Sequence, residues 1–308
     1  MDRQPEKPAL PHPEEKASIA IAVDALSFRY PGQSAPAVDG VSFVVPRGEI
    51  FGLLGPSGAG KSSLQKVLTR QQRRFDGTAS VLGKPLAAWG QDYFEAIGVG
   101  FELPNHYVKF TAVENLAFFA SLYRRKSRDP MELLALVGLE KAAHKKVETY
   151  SKGMRMRLNF VRAIQHDPEI LFLDEPTAGL DPVNAHNIKR LIAGQRQQGK
   201  TVVLTTHNMN DVDELCDRIS FMVAGRFAAL DAPQALKAKY GRRMIRVTHG
   251  RGTVEADEFP LDGLADNARF QTILRAGAVR TLHSQEASLD QVFSDVTGTS
   301  LDAAEQAT

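Results

Sequence analysis

Gly55-Pro56-Ser57-Gly58-Ala59-Gly60-Lys61-Ser62-Ser63 follows the apolar run Ile50 to Leu54 and leads into a helical stretch that begins near Ser63. Strand, glycine-rich turn and helix in that order, with Lys and Ser closing the turn, form the pattern of a phosphate-binding loop. The glycines let backbone N–H groups converge on phosphate oxygens, and the helix N-terminus adds its dipole. Lys61 is placed to reach the terminal phosphates and the Ser62 hydroxyl to hold Mg²⁺. Each residue from Gly55 through Pro56, Ser57, Gly58, Ala59, Gly60, Lys61, Ser62 and Ser63 is thus a candidate nucleotide contact. The alternative, a glycine-rich turn with no ligand, leaves the lysine and the flanking elements unexplained.

Outward from this loop, Ile50 to Leu54 shows little alternation, which suits a strand covered on both faces. Similar runs recur at Ile170 to Leu173, Thr201 to Leu204 and Ile219 to Val223, with helical stretches between them. A largely parallel sheet wrapped by helices follows. Before the loop, Ile19, Ile21 and Val23, and then Val41, Phe43 and Val45, alternate with small or polar neighbours and predict half-buried antiparallel strands. Thr111 with Glu114 reads as a capping box, Asp129-Pro130 as an N-cap with proline in the first turn, and Ser151 as a third helix start. Asp167-Pro168 stops that third helix, and Asp181-Pro182 opens another that runs to about Gln198. Residues 102–168 are therefore expected to be a mainly helical insert. Beyond about Asp231 a short helix near Pro233 to Tyr240, strands around Ile245 and Val279 and a last helix from Ser288 to Val296 predict a small α+β extension.

The chain has 308 residues, 43 % of them apolar, enough for a substantial core. With 38 Lys and Arg against 36 Asp and Glu, it is neither a polybasic nucleic-acid binder nor an acidic disordered tail. The lone Cys216 can form no intramolecular disulfide and fits a reducing compartment. No run approaches the ~20 apolar residues of a membrane-spanning helix, so any membrane crossing falls to another chain. Residues 1–17, with Pro5, Pro8, Pro11 and Pro13 among charged side chains, are expected to be a flexible tail.

Ile170-Leu171-Phe172-Leu173-Asp174-Glu175 ends an apolar strand in two carboxylates at the sheet edge where phosphate would sit. Asp174 is placed to organise Mg²⁺ and Glu175 to take a proton from the attacking water. A second apolar strand, from Thr201, ends at His207, which can sense the γ-phosphate and hold that water in line. The remaining histidines read as surface or core groups.

With these residues in place the chain resembles the ATP-binding cassette family, the ATPase subunits of ABC transporters. Five landmarks carry the resemblance, in family order over residues 18–230: the loop at 55–63, Tyr150-Ser151-Lys152-Gly153-Met154, the Asp174-Glu175 strand, Ala178-Gly179-Leu180-Asp181, and His207. The resemblance implies a cassette with a mixed sheet core, an antiparallel β subdomain and a helical subdomain. It implies a homodimer in which each ATP lies between the loop of one subunit and the signature of the other, touched by Ser151 and Gly153. It places Tyr30 as the aromatic platform for adenine and Asp181 in the loop joining the two ATP sites. Unaided, Ser151 and Asp181 are N-caps and Tyr30 a strand residue.

Two positions depart from the family pattern. Glu102 stands where a glutamine normally touches Mg²⁺ and faces the membrane partner; a carboxylate still ligates, but donates no amide hydrogen bond. Met154 and Lys152 alter the usual signature. At the other end, Glu286-Ala287-Ser288-Leu289-Asp290-Gln291-Val292-Phe293 looks like the closing helix of ATPase subunits in the daunorubicin-resistance group of drug exporters. With Phe101 to Phe110, it is similar to ATPases of antibiotic export, fluoroquinolone export included.

The resemblance thus implies an ATP- and Mg²⁺-dependent ATPase, peripheral on the inner face of the membrane, that energises a separate permease docked on residues 101–122, with no nucleic acid partner. Two other readings compete with it. A soluble cassette ATPase acting on ribosomes or nucleic acid would usually carry two cassettes or long insertions. A low-turnover regulatory subunit would fit Glu102 and Met154 but not Glu175 and His207.

Overall fold

The computed structural model describes residues 18–241, 244–250, 253–285 and 287–298. The expected flexible tail, residues 1–17, and Glu286 of the closing-helix motif lie outside the described residues. The alternating segments before the loop form β1 (Ile19–Phe28) and β2 (Val38–Pro46), paired antiparallel with Val23 opposite Phe43. A register shift between Val23 and Leu26, with Ala25 at φ +47°, returns Leu26 and Phe28 to the buried face. Next come β3 (Ile50–Leu54), α1 (Lys61–Leu68), β4 (Asp76–Val81) and β5 (Lys84–Pro85). The antiparallel sheet has the order β2-β1-β4-β5.

The chain continues through α2 (Tyr93–Ala96), β6 (Ile97–Gly100), α3 (Ala112–Ala120), α4 (Pro130–Leu136), α5 (Lys152–Ile164), β7 (Ile170–Asp174), α6 (Pro182–Gln197), β8 (Thr201–Thr206), α7 (Met209–Leu215), β9 (Arg218–Val223) and β10 (Arg226–Asp231). The second sheet runs β10-β9-β3-β8-β7-β6, parallel throughout except for β10, which turns back antiparallel on β9. Its strands read as unbroken apolar runs because their two faces serve two cores. Phe51, Leu53, Phe172 and Val203 join Ile21, Val23, Phe43 and Leu64 of α1 on one side, whereas Leu54, Leu171, Leu173, Val202 and Leu204 meet Leu158 of α5 and Ile192 of α6 on the other.

All four helix starts marked in the sequence are capped as expected. Thr111 and Glu114 exchange side-chain hydrogen bonds, and Asp129, Ser151 and Asp181 each accept a backbone N–H of the following turn. The expected helical insert is only partly helical. Residues 102–110 form turns, held by the Asn115 amide, which accepts from Tyr107 N at 2.9 Å and donates to Tyr107 O at 3.0 Å. Pro104 and the lack of a 3.6-residue period explain this.

After β10 the chain forms α8 (Pro233–Tyr240), β11 (Met244–His249), β12 (Glu255–Pro260), α9 (Ala268–Arg275), β13 (Val279–Gln285) and α10 (Leu289–Thr297). β12, β11 and β13 make a small antiparallel sheet whose own core is Ile245, Val247, Phe259, Phe270 and Ile273. The two flanking helices belong elsewhere: Leu236 of α8 and Leu289, Val292 and Phe293 of α10 are buried in the larger core. Phe293 packs edge-on against Phe221 of β9, ring centroids 5.3 Å apart. β12 and α9 were not legible in the sequence, since Glu255-Ala256-Asp257-Glu258 hides its strand under acidic side chains.

Candidate nucleotide site

The phosphate loop leaves the end of β3 through three glycines in backbone conformations that other residues avoid: Gly55 (φ +153°), Gly58 (φ +76°) and Gly60 (φ +107°). Space is as decisive as torsion. A Cβ on Gly55 would lie 2.1 Å from the Met222 carbonyl oxygen, and one on Gly60 2.2 Å from that of Ala37. The turn at Gly60 starts α1 at Lys61, two residues earlier than the sequence suggested, so the lysine stands in the first turn. Its ammonium donates to the carbonyls of Gly55 (2.6 Å) and Pro56 (2.9 Å), which holds the charge within the arc of the loop. Ser57 and Gly58 are exposed, Ala59 is buried, and Ser62 and Ser63 are half-buried.

The two carboxylates that end β7 occupy different settings. Ser62 donates to Asp174 Oδ1 at 3.5 Å, and the Thr205 hydroxyl donates to the same oxygen. This juxtaposition of a hydroxyl and a carboxylate offers hard oxygen donors, the kind Mg²⁺ takes while keeping several waters and phosphate oxygens. Among the described residues no cluster of three or more His, Cys, Asp or Glu could enclose a metal.

Glu175 sits just past the strand at φ +47°, its N–H bonded to Thr205 O at 3.0 Å. Its Oε2 accepts from the Thr206 hydroxyl at 3.1 Å and its Oε1 from His207 Nδ1 at 2.8 Å. The carboxylate is mostly covered while the imidazole is half exposed, side-chain exposures of 12 % and 54 %. A base oriented by two donors, with its histidine open to solvent, can take a proton from a water and stabilise the charge that results.

Tyr30 lies past the end of β1 and not in a strand as the sequence alone suggested, edge-on to Phe28, centroids 4.7 Å apart, and its hydroxyl hydrogen-bonds Ser63 Oγ at 3.2 Å. Beside it opens a cleft of about 560 Å³ lined by Arg29, Gln71, Arg73 and Arg74 among others. Ser151 caps α5 and is exposed. Gly153 is packed so that a Cβ there would be 3.3 Å from Leu180 Cδ2, and the Lys152 stem lies across Gly179. The signature segment is thus joined to the Ala178–Asp181 loop. Asp181 accepts from Asn184 N at 3.0 Å and Nδ2 at 2.5 Å, bonds that hold its carboxyl below the usual range. Glu102 is exposed in the turn after β6 and, among the described residues, bonds to neither Ser62 nor Asp174.

Three further contributors escaped the sequence reading. Thr205 and Thr206, which face opposite ways at the end of β8, orient Asp174 and Glu175 respectively. Their signal was the polar end of an otherwise apolar strand. The third is buried: Thr177 donates to Asp211 Oδ2 at 2.6 Å, and Asp211 pairs with Lys189 at 3.2 Å. This strut ties the loop after Glu175 to α7, the helix after His207, and no local pattern announces it.

Residues 38–178 match the family model for ABC transporters, and residues 243–286 match the fluoroquinolone efflux ABC transporter C-terminal domain. A fluoroquinolones export ATP-binding protein of Mycobacterium tuberculosis is 56 % identical over 283 residues, 91 % of this chain and 94 % of that protein. The Nod factor export ATP-binding protein I of Rhizobium meliloti is 37 % identical over 75 % of this chain and 70 % of its own length. Among solved structures, an ATP-binding subunit of an ABC transporter superposes with a TM-score of 0.66 at 29 % identity, covering 72 % of this chain and 93 % of its own. A dimeric post-hydrolysis cassette bound to ADP and Pi shares the fold with a TM-score of 0.64 at 24 % identity, over 69 % of this chain and 98 % of its own. The α/β cassette expected from the sequence is therefore the fold observed. At 56 % identity across 91 % of its length, the protein belongs to the ATP-binding cassette family, as an ATP-hydrolysing subunit of ABC transporters.

Proposed function

We propose that this protein powers a drug exporter, working as a homodimer docked on the inner face of a separate membrane permease. The observation that carries the hydrolytic part is the Glu175–His207 pair at 2.8 Å, next to the strand end where Ser62 meets Asp174. In this reading Glu175 accepts the proton of the attacking water, and His207 steadies the carboxylate and faces the γ-phosphate. Lys61 neutralises the terminal phosphates, and Tyr30 carries the adenine. Ser62 and Asp174, with Glu102 approaching on closure, would hold Mg²⁺, which supplies charge neutralisation on the β- and γ-phosphates. A positioned base makes the low-turnover regulatory reading the weaker one.

Ser151 and Gly153 would complete the site of the second subunit, with Asp181 relaying between the two. Support comes from the exposed, N-capped start of α5, whose free N–H groups suit a phosphate. No helix among the described residues is long and apolar enough to cross a membrane; in this reading the crossing belongs to a separate permease. A groove of about 1030 Å³, lined by Phe94, Phe101, Tyr107, Phe119 and Leu122 among others, is the surface proposed for its cytoplasmic loops. Drug export, fluoroquinolones included, is taken from the relatives' names and from the matched C-terminal region. The division into a cassette, residues 18–230, and an accessory region, 231–308, belongs to the same proposal, with α8 and α10 of the accessory region packed into the cassette's core.

The test is Glu175→Gln in the purified full chain, compared with the native protein. ATP binding should persist, the closed dimer should accumulate, and hydrolysis should fall by about a hundredfold or more. Unchanged turnover would remove Glu175 as the base.

A further inference from the structure

The turn between α3 and α4 reads Arg124-Arg125-Lys126-Ser127-Arg128, four cations in five residues, and the nucleotide chemistry has no use for it. Its fold turns those charges outward. The Glu95 carboxylate accepts the backbone N–H of Arg124 at 2.7 Å and of Arg125 at 3.3 Å, Arg128 N donates to Gln165 O at 2.8 Å, and the Ser127 hydroxyl is buried. With the main chain pinned, Arg124, Arg125, Lys126 and Arg128 are all exposed. Among the described residues none of the four pairs with a carboxylate. Nearby acids are engaged otherwise: Asp92 pairs with Lys84, Glu95 holds the turn itself, and Asp129 caps α4.

Apolar side chains lie open beside these charges. Leu122 is 65 % exposed immediately before the turn, at the border of the groove proposed above for the permease, which Tyr107 (48 % exposed) also lines. Tyr107, Leu122 and Arg124 line one continuous cavity, and Tyr107 packs against Phe110 and Phe118. Exposed aromatic and aliphatic groups bordered by unpaired cations suit an anionic bilayer surface, where rings and leucines sit at headgroup depth and cations meet phosphates.

We infer that the Arg124–Arg128 turn, with Leu122, is a lipid-contacting edge that rests on anionic headgroups beside the permease. The orientation of this face toward the membrane rests on the exporter reading above; the charge and exposure of the patch do not. The experiment is co-sedimentation of the purified full chain, without permease, with phosphatidylcholine vesicles that contain or lack about a third phosphatidylglycerol. Binding is expected to the anionic vesicles only, weakening as salt rises. Replacing Arg124, Arg125, Lys126 and Arg128 together by alanine should weaken it by roughly two to three orders of magnitude, and Leu122→Ser by several-fold. The fourfold Arg/Lys→Gln variant, checked for retained ATP binding, separates lost charge from lost fold. No vesicle binding by the native protein, equal binding to neutral vesicles, or unchanged binding by the fourfold variants would each overturn the inference. Loss of permease co-purification in those variants, with native protein indifferent to vesicles, would assign the turn to an acidic permease loop and leave the exporter reading standing.

Discussion

Replacing Phe293 by alanine tests whether the closing helix is an ornament or a wall of the cassette. The ring is fully buried and meets Phe221 edge-on, and Phe221 pairs in register with Leu54, the residue before the phosphate loop. Phe→Ala at such a site costs about 3–5 kcal/mol, of which the aromatic pair contributes about 1 kcal/mol. That is a large share of the ~5–15 kcal/mol that holds a domain together. The only tryptophan, Trp89, packs against the other core, on the far face of the parallel sheet, so its fluorescence reports on the cassette and not on α10. In urea, the Trp89 transition of Phe293→Ala should move down by more than about 1 M. Phe259→Ala, in the small core of β11, β12 and α9, should leave that midpoint in place. If Phe293→Ala also leaves it in place, α10 is not part of the cassette and the packing argument is wrong.

Gly60→Ala should abolish ATP binding, measured by nucleotide titration, because its Cβ collides with the Ala37 carbonyl and φ +107° is strained for alanine. Thr177→Val removes the strut between the loop after Glu175 and α7; ATP turnover should drop severalfold while the binding constant for ATP holds, and an equal loss of both would count against a positioning role. His106 is pushed down to about 4, first by burial and then by the neighbouring Arg162, so it stays neutral in the fold while the unfolded chain takes up a proton near its ordinary 6.5. The unfolded state therefore binds more protons between those values, and stability should fall by about 3 kcal/mol as pH drops from 6.5 toward 4, a slope that His106→Gln should flatten in urea titrations.

What was readable in the chain was local. The phosphate loop, the buried strands, and the caps at Thr111, Asp129, Ser151 and Asp181 each depend on residues within a few positions of one another, so spacing alone carries them. Resemblance added Ser151, Gly153 and Tyr30 as proposed contacts, residues that the sequence alone reads as an N-cap, a helix glycine and a strand aromatic. Helical periodicity failed at 102–110, where a buried Asn115 side chain holds the turns in place of a helix.

By itself the sequence determined a glycine-rich turn between strand and helix that suits a triphosphate, since glycine torsions and the Lys61-Ser62 step are local chemistry. Only the tertiary structure decided that Thr205 and Thr206 aim Asp174 and Glu175, that Thr177 is braced by Asp211, and that α10 seals the core behind the phosphate loop. The strut spans 34 positions of chain and α10 lies far beyond the loop, and contacts between distant segments leave no periodicity to read. They exist because two cores close on opposite faces of one largely parallel sheet, and that closure brings a strand end, α7 and α10 to the same place.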